Sequence, residues 1–198
     1  MEASSFEQVK KYVLLRLENE LAPGLAYHSL AHTRDDVVPA VERLADMEGV
    51  QGESRILLLT AAWFHDLGFI EQMAGHEAIS MRIAEDVLPD FGYAAGQIAT
   101  VCNAIMATKL PQSPKSRLEE ILADADLDVL GRDDFLPRNQ ALRDELQYLG
   151  RKFTDFEWYT SQESFLRDHS YFTKSAHALR DSQKMLNIVA LQDALAGA

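Results

Sequence analysis

Residues 63–68 place a histidine and an aspartate side by side at the end of the most apolar stretch of the chain. Burying His65 and Asp66 there is costly unless something compensates both groups. A divalent cation would do so, since neutral imidazole and carboxylate are common metal ligands. Adjacent residues of a helix point about 100° apart, so both reach one ion most easily where the helix loosens, and Gly68 is expected to loosen it. The alternative is a plain helix C-terminus, with His65 near the negative end of the dipole and Asp66 solvated.

A second segment, residues 27–33, carries His28 and His32 at positions i and i+4. On a helix this spacing puts both imidazoles on one face. The two histidines then either bind the same metal ion or have different roles in one site. The alternative is a polar helix face without a site.

A third segment, residues 121–128, alternates Asp124, Asp126 and Asp128 with apolar residues. Carboxylates this close repel one another, and a cation would balance them. The alternative is an amphipathic helix with an acidic edge. The three segments are distant in sequence, so a common site requires the fold to bring them together.

Composition limits what such a site can act on. The chain has 198 residues, of which 47% are hydrophobic and 25% charged, so it can fill one sizeable core, and we expect a single domain over residues 1–198. The formal net charge is −12 at pH 7, which repels polyanions and argues against nucleic acid as a partner. A small phosphorylated substrate remains compatible, because a bound dication and a few local basic residues outweigh a distant negative surface.

The chain has one cysteine, Cys102, so no intrachain disulfide forms, as in a reducing compartment. Residues 1–8 lack the basic and apolar regions of a signal peptide, and no stretch approaches the ~20 apolar residues that span a bilayer. We therefore expect a cytoplasmic protein without a membrane partner, as a monomer or homodimer.

Apolar residues recur at spacings of three and four along nearly the whole chain, which predicts an all-α fold. The segment ILLLTAAWF is apolar on nearly all sides and is expected at the centre of a bundle. Pro39 should kink the second helix or mark the first turn of a new one. The predicted helices cover about 5–20, 27–47, 54–67, 76–88, 96–107, 116–130, 139–150, 155–166 and 173–194.

The order His…His-Asp…Asp on separate helices resembles the HD-domain superfamily of metal-dependent phosphohydrolases. The resemblance is carried by His32, by the pair His65 and Asp66, and by the segment from Asp124 to Leu127. It covers residues 25–131 strongly and the remainder weakly. It implies a helical bundle of the HD type with its metal-site core at about 25–131 and C-terminal helices at 139–195 packing on it.

The resemblance also implies the metal ligands, namely His32, His65, Asp66 and one aspartate of the third segment. Asp126 is favoured, because Leu127 and the apolar residues after it follow the ligand as in relatives, and Asp124 is the alternative. One divalent ion is expected, either Mn, Mg, Fe, Ni, Co or Zn.

Residues 27–32 also resemble the start of the cyclic-nucleotide phosphodiesterase site, which implies that His28 is the general acid. Asp66 or the spare aspartate would orient the attacking water. Lys109 and Arg132 are the candidates for binding the substrate phosphate, with Lys174 also considered. The alternative for each of these basic residues is a solvated surface charge.

Two departures from relatives stand out. Phe69 occupies the position where some nucleotidases of the superfamily have a glutamate, which weakens a direct transfer of their mechanism. His76 lies ten residues after Asp66, in a region where some relatives use a histidine for a second metal or for the substrate. His76 is therefore a candidate for substrate binding, with a helix N-terminal histidine as the alternative. The bridging histidines of two-metal relatives are not evident, which favours a single ion.

The expected activity is that of a metal-dependent phosphohydrolase, a phosphomonoesterase or phosphodiesterase, acting on a nucleotide or another small phosphorylated metabolite. A dication that lowers the pKa of its bound water and polarises phosphoryl oxygens would supply the chemistry. Two alternatives stay open: a two-iron oxygenase of the HD type, and a catalytically silent regulatory module that binds metal.

Overall fold

The structure is a computed structural model that describes residues 3–197, with side chains from residue 5. Met1, Glu2 and Ala198, where the predicted domain begins and ends, lie outside the described residues. The helices are α1 (Ala3–Glu20), α2 (Val38–Met47), α3 (Gly52–Phe64), α4 (His76–Val87), α5 (Ala95–Ala107), α6 (Arg117–Asp126), α7 (Phe135–Tyr148), α8 (Asp155–Asp168) and α9 (Lys174–Ala196). Residues 3–197 contain no strand, which confirms the all-α prediction. Within the same residues, no helix combines the length and apolarity needed to cross a bilayer.

Helix α3 lies at the centre of the helices, as its apolar sequence predicts. Every residue from Leu57 to Phe64 is buried. It packs against α1, α2, α5 and α6. An apolar side chain that is buried fully contributes roughly 1.5–3 kcal/mol, so this helix fixes the position of whatever follows its last residue.

The predicted helix 27–47 is wrong in its first part. Residues before Leu30 form bends, a π-helical turn runs over His32–Val37, and α2 follows directly. The reason is a buried carboxylate, since Glu145 accepts the backbone N–H of Tyr27 at 2.8 Å and of His28 at 2.9 Å. These two amide groups therefore need no helical partner. Pro39 lies in the first turn of α2, where its missing N–H is tolerated.

Helix α3 ends at Phe64, and the chain continues through a 3-10 turn over Leu67–Ile70. Loosening thus begins at the histidine and aspartate themselves, earlier than the predicted end at 67. Gly68 has a different role from the expected one, because a Cβ there would lie 2.1 Å from the carbonyl oxygen of His76. The glycine permits the start of α4 to approach this turn. The Gly68 N–H also donates to Ser80 Oγ of α4 at 2.7 Å.

Helix α6 ends at Asp126, and a 3-10 turn over Asp128–Gly131 replaces the rest of the predicted helix 116–130. Asp128 is buried and accepts two hydrogen bonds from the Arg180 guanidinium of α9, at 2.7 and 2.8 Å, and one from Arg43 at 3.0 Å. This pairing holds α9 against the turn. A second apolar cluster joins the turn to the C-terminal helices and comprises Tyr27, Val129, Leu130, Phe135, Leu166, Ile188 and Leu191.

We expect Gly68→Ala to lower the free energy of unfolding by roughly 1–3 kcal/mol, because the new Cβ overlaps backbone rather than a flexible side chain. Gly96→Ala is the matched control, since a Cβ at this helical position meets nothing within 4 Å and alanine favours the helix by up to about 1 kcal/mol. Thermal and denaturant unfolding measure both. Equal stability of the two variants would contradict the close approach of α4.

Candidate metal centre

Three side chains from two distant segments converge in the buried interior. His32 begins the π-helical turn before α2, and His65 and Asp66 follow α3. Each offers a donor atom, and these atoms lie within 4.8 Å of one another. Asp66 Oδ2 lies 3.2 Å from His65 Nε2 and 3.6 Å from His32 Nε2. The two segments that sequence patterns singled out therefore share one place in the fold.

The third segment supplies Asp126 to the same place. Its Oδ1 lies 3.4 Å from Nε2 of both His32 and His65. Asp126 is the last residue of α6, so its carboxylate extends past the helix end toward the imidazoles. Four side chains from three stretches thus surround one point.

The donor spacing fits a metal ion. Ligand atoms about 2.1 Å from one centre, at angles of about 90–110°, lie about 3.0–3.4 Å apart. The observed separations of 3.2, 3.4, 3.4 and 3.6 Å fall in or close to this range. Three of the four exceed the usual hydrogen-bond range of about 2.7–3.2 Å and the fourth lies at its upper end, so direct pairing does not fully account for the cluster.

Unsatisfied buried atoms point to the same conclusion. Nδ1 of His65 lies 2.8 Å from the carbonyl oxygen of Ala62, to which it donates, so Nε2 is left with a lone pair facing the cluster. His65 Nε2 and Asp66 Oδ2 are both buried without a hydrogen-bond partner in the structure. Two buried acceptors that face each other are unfavourable unless a cation lies between them.

Electrostatics couple the members of the cluster. Without a metal ion, the cluster favours a proton on the His65 ring instead. Burial alone would lower the pKa of His65, but the negative charges of Asp66 and Asp126 outweigh burial and hold the pKa well above the ordinary value. Burial would likewise raise the pKa of Asp66, yet His65 holds it well below the usual range. The carboxylates therefore stay charged in the interior, and the site favours positive charge.

Asp124, the alternative ligand, does not join the cluster. Its Oδ1 accepts the Phe172 N–H and its Oδ2 the Thr173 N–H, both at 2.8 Å, just before α9 begins. Both oxygens are thus occupied in fixing the entry to α9. Residues two apart on a helix point roughly 200° apart, so Asp124 and Asp126 face different neighbours.

His28 lies beside the cluster and is held by a residue that sequence reasoning missed. Its Nδ1 lies 2.5 Å from Glu145 Oε1, and its ring centroid is 6.0 Å from that of His32. Glu145 is fully buried. Burial raises its pKa, but hydrogen bonds from the His28 ring and from the N–H groups of His28 and Tyr27 outweigh this, so the pKa lies below the ordinary value. Glu145 is 117 residues away in sequence, and no local motif marks it.

Phe69 and His76 complete the wall next to His28. The Phe69 ring stacks on His28 at 4.2 Å between centroids and contacts His76 at 4.1 Å. His76 Nε2 lies 3.3 Å from Asp66 Oδ1, on the oxygen opposite to the one that faces the imidazole pair. Phe69, where some relatives have a glutamate, is therefore a packing surface that separates and orients two histidines.

The cluster opens into a cavity of about 400 Å³. His28, Asp66, His76 and Asp126 line it, together with Lys109. The rest of the wall comprises Tyr27, Gly75, Glu77, Thr108, Leu110, Leu127, Val129, Leu130, Phe135, Asn139, Leu142, Gln162 and Phe165. Its volume lies in the lower part of the range of about 300–1,000 Å³ that is usual for small-molecule sites.

The placement of Arg132 corrects the expectation that it contacts the substrate. It does not line the cavity, because its guanidinium is engaged by Asp36 at 2.7 Å and by Asp134 at 2.5 and 2.7 Å. Asp36 is also paired with Arg138. Since Asp36 Oδ2 is 3.8 Å from His32 Nδ1, these arginines balance a carboxylate behind the cluster.

The fold is similar to that of a crystal structure described as a predicted HD superfamily hydrolase from an uncultured Thermotogales bacterium. The TM-score is 0.64 at 18% sequence identity, and the match covers 96% of this chain and 91% of that chain. Neither a protein-family model nor a curated protein matches the sequence. At this identity the likeness establishes the fold, and the chain has the helical HD-domain fold that the motif order predicted.

We expect Asp126→Asn to lower the affinity for Mn²⁺ at least about tenfold, or about 1.4 kcal/mol, because it removes a charged donor 3.4 Å from both imidazoles. Asp124→Asn is the matched comparison on the same helix. It should keep the affinity and lower the free energy of unfolding by about 1–3 kcal/mol, because an amide nitrogen would face a buried N–H. Calorimetric titration and thermal unfolding test both variants, and the reverse assignment of effects would make Asp124 the ligand.

Proposed function

We propose that this protein is a metal-dependent phosphohydrolase that cleaves a phosphate ester of a small metabolite. The observation that carries the proposal is the convergence of His32, His65, Asp66 and Asp126, with two buried lone-pair atoms that lack partners among the described residues, next to a ligand-sized cavity that Asp66 and Asp126 line. The similar structure is itself described as a predicted hydrolase, in agreement with this reaction class.

These four side chains would hold one divalent cation, and Mn, Mg, Fe, Ni, Co and Zn are all compatible with a mixed set of imidazole and carboxylate donors. When bound, such an ion lowers the pKa of a coordinated water molecule and polarises phosphoryl oxygens. Asp66 has a further part, because its Oδ1 faces His76 while its Oδ2 faces the imidazoles. It is the residue that would orient a water molecule at the edge of the cavity.

His28 is the proposed proton donor to the departing oxygen. Glu145 fixes the ring through Nδ1, so Nε2 is the nitrogen left for a substrate. Nε2 would therefore carry the proton that is given to the departing oxygen. Phe69, stacked on the same ring, restricts its rotation.

Lys109 is the proposed contact for the phosphate charge, and His76, which also lines the cavity, is the second candidate. The substrate is small, and nucleic acid is not proposed as a partner, because the chain carries a net charge of −12. The cytoplasm stays the predicted compartment.

The test of the reaction class compares the parent protein with Asp66→Ala and with Asp193→Ala, an exposed control on α9. We expect a screen of phosphate esters to detect hydrolysis by the parent and by Asp193→Ala, and loss of both metal and hydrolysis in Asp66→Ala. Metal analysis by mass spectrometry accompanies the assay. Bound pairs of iron without hydrolysis would support an oxygenase instead, and metal without either activity would support a regulatory module.

We expect His28→Ala to keep its metal and to lose about 10² to 10⁴ in kcat on an alkyl phosphate, whose departing oxygen needs a proton. The loss on 4-nitrophenyl phosphate should be much smaller, because nitrophenolate leaves without one. His177→Ala, at a half-buried histidine of α9 that does not line the cavity, is the control and should leave both rates unchanged. Equal losses on the two esters would assign His28 a structural role instead.

A further inference from the structure

The cavity wall beyond the metal centre is apolar. It is formed by the 3-10 turn after α6 and by α7 and α8, through Leu127, Val129, Leu130, Phe135, Leu142 and Phe165. Lys109 is the one Lys or Arg side chain that lines the cavity among the described residues. A substrate with one phosphate and an apolar body fits this wall, whereas a body rich in hydroxyl groups would leave them unpaired against it.

One polar chain interrupts the apolar wall, and its direction is fixed by chemistry. The Trp158 indole N–H, which can only donate, bonds to Asn139 Oδ1 at 2.8 Å. Asn139 must then turn its Nδ2 the other way, where it donates to Gln162 Oε1 at 2.5 Å. Gln162 consequently has its oxygen occupied, and its Nε2 donates to no other side chain or carbonyl among the described residues. Reversing either amide would set two donors against each other.

The hydrogen-bonded chain from Trp158 through Asn139 to Gln162, here called the relay, begins in the buried interior. Trp158 and Asn139 are only 2% and 5% exposed, so breaking either bond would leave a buried group without a partner. Trp158 does not line the cavity, whereas Asn139 and Gln162 do. The indole N–H therefore determines that the group of Gln162 left for a ligand is its donor, Nε2.

We propose that Gln162 determines specificity, by donating through Nε2 to an uncharged acceptor, such as a carbonyl oxygen, on the apolar body of a phosphate monoester. This rests on the proposed function, because the phosphate is taken to lie at the metal centre. An uncharged acceptor is favoured because no cation joins the amide in this part of the wall. The cavity volume of about 400 Å³ restricts the body to about the size of one substituted ring.

The test uses two probes of similar size, 4-acetylbenzylphosphonate and 4-isopropylbenzylphosphonate, in which a carbonyl oxygen replaces a methyl group and which cannot be hydrolysed. Calorimetric titration of the Mn²⁺-loaded protein should give about tenfold tighter binding of the acetyl probe, as one buried hydrogen bond provides. Gln162→Leu should abolish the preference while still binding the isopropyl probe. Gln147→Leu, at an exposed glutamine of α7, should keep it.

Trp158→Phe tests the relay itself, because it removes the N–H without altering a residue that lines the cavity. It should reduce the preference toward unity, since both amides can then reverse. The ratio of the two affinities within each variant is independent of the fraction of protein that folds. Equal binding of the probes by the parent, or an unchanged ratio in Gln162→Leu, would overturn the proposal.

The corresponding benzyl phosphates separate this proposal from the proposed function. Hydrolysis of both esters without selectivity would refute the role of Gln162 and leave the reaction class standing. Selective binding of the acetyl phosphonate without hydrolysis of any ester would do the reverse.

Discussion

The imidazole of His65 and the carboxylate of Asp66 meet at the end of the most apolar helix. There His65 Nε2 and Asp66 Oδ2 are buried without a hydrogen-bond partner among the described residues. Charge in such a place is tolerated only if an opposite charge is fixed nearby. The neighbouring helices are placed so that their charged and imidazole side chains reach this pair. Gly68 lets α4 approach closely enough for His76 to reach Asp66, and α6 ends so that Asp126 faces both imidazoles.

The pairing of the neighbouring carboxylates makes the site distinct. Asp36 has Arg132 and Arg138, Asp128 has Arg43 and Arg180, and Asp124 has two backbone N–H groups. By contrast, the contacts of Asp66 and Asp126 are with histidines. Arginine or backbone N–H groups thus compensate the first three carboxylates. Among these five described residues, Asp66 and Asp126 are the two that have neither, and they are those that a cation would satisfy. The proposed binding of a phosphate ester to a protein of net charge −12 would depend on this local compensation.

Sequence reasoning predicted the helices and the ordered motifs because both are local patterns. It could also have shown that Asp124 and Asp126 do not face the same neighbours, since residues two apart on a helix face nearly opposite sides. Other features were beyond it because they depend on contacts through space. Glu145 replaces the helical partners of Tyr27 and His28 by accepting their two backbone N–H groups, so the predicted helix does not form there. Only the folded chain brings Glu145 to 2.5 Å from the His28 ring. The same holds for Gly68, whose need for a small residue arises from the backbone of His76.

The cavity divides the proposed chemistry between two parts of the chain. The candidate ligands come from residues 32–126, and the apolar wall with its fixed amide comes mostly from residues 127–165. The part that would activate water can therefore stay constant while α7 and α8 change, because the substrate body would contact different side chains from those that would hold the ion. This separation explains why the motifs indicate a reaction class but no substrate. In the proposed mode of recognition, the substrate body would meet the relay from Trp158 to Gln162, whose direction follows from one indole N–H that cannot accept a hydrogen bond.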